Sequence, residues 1–236
     1  MSISLKRIQA IFMKDYKEFS RNYAISIMVI IPIFFAMFYR TDGEGQVVMY
    51  TFILNFSLAM LTSFIQACLI AEEKERNTLR SLMMTPASMM DILFGKSALV
   101  FVISAVVIAI STFIFGYNPE NVLLLILGIA ISIILYISLG TICGLYSKSI
   151  MEASLSIFPV LIIFTAGPYA VLLAEKFPVL EAFSYLPSSQ LNELILLMSD
   201  GAPTGDMLTA VGIILIWTIV LTIVSFVLYK KRLMDQ

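Results

Sequence analysis

The chain has 236 residues, 60% of them hydrophobic and only 13% charged, with 15 Lys and Arg against 16 Asp and Glu. A soluble domain is about half apolar and about a quarter charged, so this chain has too little charge to cover a water-facing surface. The net charge of −1 is silent on nucleic acid, and the basic residues form no patch that would hold one. The charges stand in clusters between uncharged runs of about 17 to 26 residues, too long for barrel strands and right for membrane helices. In lipid the backbone must satisfy its own hydrogen bonds, which selects helix.

Residues 3–19 read as an amphipathic helix, with Ile8, Ile11, Phe12, Tyr16 and Phe19 at helical spacing and Lys6, Lys14, Lys17 and Glu18 elsewhere. Such a helix lies in the membrane interface. No apolar run within these residues reads as a signal peptide. Six spans come next, at about 23–39, 46–71, 97–117, 122–147, 154–173 and 208–229, with Pro32 expected to kink the first. With the N-terminus inside, 13 of the 15 basic residues fall on inner segments, leaving only Arg40 and Lys176 outside, together with eight acids. The expected fold is an all-α integral membrane protein: one transmembrane domain, 1–236, of six transmembrane helices, both termini cytoplasmic, with an N-terminal interfacial helix at 1–20. Cys68 and Cys143 sit inside apolar runs and read as reduced small hydrophobes.

The chain has no histidine and no acid near the middle of a span, so His-dependent catalysis, an intramembrane aspartyl dyad and the usual ion-coupled relays lack their groups. No phosphate-cradling glycine loop occurs; Gly95–Lys96 lacks the upstream glycine. No metal site is expected, and the chain binds no cofactor of its own.

The unusual element is the cytoplasmic loop 72–96. Glu72 and Arg76 are four apart and can pair on a helix face; Leu79, Leu82 and Met83 share one side; Pro86 then breaks the helix. A Met-rich helix flanked by charge suits a groove on a soluble partner, although it also suits a surface helix that merely joins two spans. The run Ala71-Glu72-Glu73-Lys74-Glu75-Arg76-Asn77-Thr78-Leu79-Arg80-Ser81-Leu82-Met83-Met84-Thr85-Pro86-Ala87-Ser88, with Gly95-Lys96 before a span, resembles the cytoplasmic loop of type-2 ABC transporter permeases. The likeness covers nearly the whole chain. Glu72, Glu73, Thr78, Leu79, Leu82, Thr85, Pro86 and Ser88 stand at that family's pattern positions, whereas Asn77 replaces a common Gly and Arg80 a common acid. The resemblance implies an ATPase-coupling helix using Glu72, Glu73, Arg76, Thr78, Leu79, Leu82, Met83, Thr85 and Pro86. It implies a separate ABC ATP-binding subunit that binds ATP and Mg, a second permease copy (identical or a paralogue), and residence in a bacterial plasma membrane.

Residues 174–206 hold two apolar stripes, Phe177/Leu180/Phe183/Leu186 and Leu191/Leu194/Ile195/Leu197/Met198. By resemblance they form a re-entrant extracellular cap; read alone they suit a loop on the outer leaflet. The family pathway lies along the second and fifth spans, where Asn55, Ser57, Thr62, Ser63, Gln66, Thr165 and Gly167 are the polar or small points, although Ser and Thr in such helices often bond their own backbone. So few polar groups suit an amphipathic or lipid-like cargo, and the acidic outer face suits release of a cationic peptide. The alternatives are an ATP-independent carrier or channel, and a membrane-anchored interaction or immunity protein.

Overall fold

A computed structural model describes residues 4–41, 43, 45–76 and 88–234. Helix α1 runs Leu5–Arg21. The first apolar stretch is broken: α2 (Tyr23–Ser26), a 3₁₀ turn (Ile27–Val29) and α3 (Ile30–Phe38). Pro32 accounts for the break, because its ring crowds the carbonyl four residues earlier, at Met28, and it offers no N–H to the preceding turn. Ser26 helps from the other side, donating to the carbonyls of Phe19 and Asn22 at 2.6 and 3.0 Å. Residues 23–38 rise only about 24 Å, short of the roughly 30 Å hydrocarbon layer.

Among the described residues, five helices are long and apolar enough to cross a membrane: Gln46–Glu75, Met90–Phe115, Val122–Tyr146, Ile150–Leu173 and Thr204–Lys231. Five of the six expected spans correspond to these, and the first corresponds to the shorter apolar helix Ile27–Phe38. The first long helix comprises α4 (Gln46–Phe56) and α5 (Ser63–Glu75), joined by a wide π turn at Ser57–Thr62. The rest are α6 (Met89–Phe115), α7 (Val122–Tyr146), α8 (Ile150–Ala170), then 3₁₀ segments at Val171–Leu173 and Pro178–Tyr185, α9 (Pro187–Ser199) and α10 (Thr204–Met234).

The α4–α5 helix is the centre of the bundle, with α6, α7 and α8 around it; α10 packs on α7, and α1 and α3 pack on α6. Close approach of α7 to α5 requires Gly144: a Cβ there would sit 2.6 Å from the Ala67 carbonyl oxygen and 2.8 Å from Ile70 Cβ. With Gly140 one turn earlier this is a small-residue contact of the kind that brings membrane helices together by backbone fit. Helix α9 buries Leu191, Leu194, Ile195 and Met198 against α4, α7, α8 and α10. It is pinned by Asn55, whose amide donates to Asn192 Oδ1 at 2.5 Å and to the Ser188 carbonyl at 3.3 Å. The other apolar stripe of residues 174–206 is 3₁₀ over Pro178–Tyr185 rather than α. Its apolar residues recur every three positions, which is the 3₁₀ period, and Phe183 and Leu186 close over Gly167.

Candidate functional site

The site grows from five consecutive charged residues, Glu72 to Arg76, at the end of α5. Each takes a different partner. Glu72 pairs with Arg76 at 2.7 Å, as the four-residue spacing predicts. Glu73 faces inward and meets Lys96 Nζ at 2.9 Å and Lys14 Nζ at 3.1 Å. Lys74 donates to the carbonyls of Leu145 (2.7 Å) and Ser147, at the C-terminus of α7. Glu75 accepts from the Ile150 amide at 2.9 Å, at the N-terminus of α8. A cation on a helix C-terminus and an anion on an N-terminus both complement the helix dipole. The elbow between α7 and α8 is thus held at both rims by α5, and Ser149 and Glu152 cap it further.

On the other side of residues 77–87 stands α6. Ser88 and Asp91 form a capping box: Ser88 Oγ accepts from the Asp91 amide (3.2 Å), and Asp91 Oδ2 accepts from the Ser88 amide (2.9 Å). The same carboxylate holds the start of α1, accepting from the Ser4 amide at 2.8 Å and pairing with Arg7 at 3.0 Å. One turn on, Gly95 lets α1 close in, since a Cβ there would lie 2.8 Å from Ile11 Cβ. Lys96 is then 1% exposed and bridges Asp15 (3.1 Å) and Glu73. Lys14 closes the ring onto Glu73, Asp15 and Glu18. Burial alone would lower the Lys14 ammonium, but the Glu73 and Asp15 carboxylates outweigh it and hold its pKa above the ordinary value. The pairing therefore contributes fully below the unfolded lysine pKa and fades only as pH rises through the higher folded one, far above neutrality.

The node Asp15–Lys96–Glu73, with Lys14 on both acids, joins α1, α5 and α6 in one cluster of two lysines and two buried acids, with Glu73 before and Lys96 after residues 77–87 in the chain. The apolar face of α1 packs in part on α6, burying Ile11 and Phe19 with Asp15 between them, while Tyr16 stays exposed. Of the expected coupling residues, Glu72 and Glu73 are buried and Arg76 is exposed; Thr78, Leu79, Leu82, Met83, Thr85 and Pro86 lie outside the described residues. The expected pathway residues are also buried in this structure. Thr62 donates to Ser104 Oγ (2.9 Å), Ser63 to the Tyr136 carbonyl (2.9 Å) and Gln66 to Thr141 (2.9 Å), while Asn55 holds α9 and Thr165 sits in the α8 wall.

Sequence reasoning missed Asp15, Lys74, Glu75, Asp91 and Lys96. A signal existed for two of them: Asp15 interrupts an apolar face at i+4 from Ile11, and Lys96 follows a glycine inside a helix that continues into a span. A comparison with curated proteins finds no match. A model of the ABC-2 family transporter proteins matches residues 2–227, nearly the whole chain. A permease-like bundle whose charged frame brackets a short segment between its first two long helices accords with that match, and the chain belongs to the ABC-2 transporter family.

Proposed function

We propose that this chain, as the permease subunit of an ABC transporter, works in an ATP-driven exporter whose separate ATP-binding subunit grips residues 77–87. The observation that carries the reading is the buried node: Lys96 on one flank of that segment and Glu73 on the other share a cluster with Asp15 on α1. A push on the segment is then received by α1, α5 and α6 together rather than absorbed by bending of one flank. The elbow at Ser147–Glu152, tied to α5 through Lys74 and Glu75, carries the same displacement to α7 and α8. This is rigid-body switching of a packed bundle.

In this reading the short α2–α3 segment is the sixth span, the bilayer thinning or the flanking residues snorkelling to meet it. Both termini are cytoplasmic, as the distribution of Lys and Arg favours. A second permease copy, identical or a paralogue, completes the pathway in the plasma membrane, and ATP and Mg are bound by the partner subunit. The cargo is amphipathic and moves outward.

The test is co-purification with a co-expressed ABC ATP-binding subunit. Replacing residues 77–87 by a Gly/Ser linker is expected to abolish the complex and the permease-stimulated ATPase rate while membrane insertion persists. Retention of both by the linker variant would refute the docking role.

A further inference from the structure

At the opposite end of the bundle from Lys96, the first turns of α4 and α10, the end of α8, the two 3₁₀ segments after it and α9 line an open-sided cavity of roughly 780 Å³. This is the size of a site for a drug-sized molecule. Its walls are tied rather than merely adjacent. Tyr169 Oη donates to the Val48 carbonyl at 3.2 Å, Gln190 Nε2 to the Ser184 carbonyl at 2.8 Å, and Trp217 Nε1 to the Tyr185 carbonyl at 2.9 Å. Asn192, on the α9 wall, is fixed from beneath by Asn55.

The lining has one sign of charge. Glu193 and Asp206 are its charged residues, no Lys or Arg lines it, and neither acid is in an ion pair among the described residues. Beside them stand the rings of Tyr169 and Tyr185 and an apolar surface of Val48, Leu172, Leu196 and Ile213. Ser189 also lines the cavity, and its buried hydroxyl has no partner among the described residues. An acyl chain would leave the carboxylates and the amide of Gln190 desolvated without recompense. An anion would be repelled. A cation on an apolar body matches every part: carboxylates for the charge, tyrosine faces for cation–π contact, and aliphatic walls for the remainder.

We infer that this cavity binds an organic ammonium of amphipathic character. The inference deepens the transport reading by giving its cargo a class and a site, and it rests on that reading only for the steps after binding. The ammonium can belong to a free solute or to a zwitterionic lipid headgroup, and the chemistry of recognition is shared.

The experiment uses the full chain in phosphatidylglycerol nanodiscs without any ATPase, so a failure of loop docking leaves it untouched. Rhodamine 6G, a monovalent cation, serves as the probe by fluorescence polarisation, with anionic sulforhodamine B as control. Saturable rhodamine 6G binding is expected, weakened about tenfold in the Glu193→Gln/Asp206→Asn double variant, with no saturable sulforhodamine B binding by either protein. Both substituted residues are exposed, so folding is spared. Thr209→Trp, which fills the cavity from its exposed rim, is expected to weaken the probe similarly. Displacement of the dye by added phosphatidylcholine identifies a lipid headgroup as the source of the ammonium, and persistence of the dye identifies a free solute. Absence of saturable rhodamine 6G binding, or equal affinity in wild type and both variants, overturns the proposal.

Discussion

Lys96 illustrates how a charge becomes tolerable inside a helical bundle. Its ammonium lies within hydrogen-bonding distance of Asp15 and Glu73, so none of the three is buried alone. Removing one member of such a cluster is far costlier than replacing all of them, because the remainder stays buried and unpaired. Lys96→Ala is therefore expected to cost about 3–5 kcal/mol, visible as a large drop in thermal midpoint in detergent. The triple replacement Asp15→Leu, Glu73→Met, Lys96→Met is expected to recover most of that midpoint while uncoupling ATPase stimulation. Equal destabilisation of single and triple variants would show that packing, not charge compensation, holds α1 in place. The Glu72–Arg76 pair was legible in the sequence because helical spacing brings those positions together. The Lys96–Asp15 pair was not, since 81 residues separate the partners and only the tertiary fold unites them.

Among the elements, the long helices followed directly from the apolar runs, whereas boundaries depended on caps and contacts. Helix α6 begins at Met89, well before the apolar run near 97, because the Ser88–Asp91 box caps it there and α1 neutralises the charges of its first two turns. The 3₁₀ form of Pro178–Tyr185 fits a stripe of period three, which in the sequence suited either a cap or a loop on the outer leaflet. The π turn at Ser57–Thr62 carries no sequence signature; Ser57, whose hydroxyl bonds the Ile53 carbonyl, merely marks it afterwards. Deleting Ala59 should restore regular α pitch and rotate α4 against α5. The expected result is normal insertion with loss of transport, read by membrane fractionation beside an ATPase-coupled efflux assay. The α7–α5 contact yields a sharper expectation. Gly144→Ala drives a methyl into the Ala67 backbone and is expected to cost about 1–3 kcal/mol, whereas Gly212→Ala meets open space and should be neutral in the same thermal melt.

For the molecule as a whole, composition alone placed the chain in a membrane, and the loop motif anticipated the family. The shortness of the first segment was legible, since the run 23–39 rises only about 25 Å as helix, and Pro32 marked a kink; the 3₁₀ turn at Ile27–Val29 was not legible from hydropathy. Thiol labelling in a background lacking Cys68 and Cys143 tests the topology: a cysteine at Met151 is expected to react only from the cytoplasm, and one at Glu181 only from outside. Reversed labelling of the pair would invert the whole assignment. The hydrogen bond from Trp217 to the Tyr185 carbonyl has a practical corollary, because Trp217 is the chain's one tryptophan. Excited at the red edge of the absorption band, where its 10 tyrosines absorb little, the unlabelled protein therefore emits from a single indole at the rim where α10 meets the segment before α9. Any rearrangement that frees that N–H should move the emission maximum, so the molecule carries its own optical gauge of events at that end.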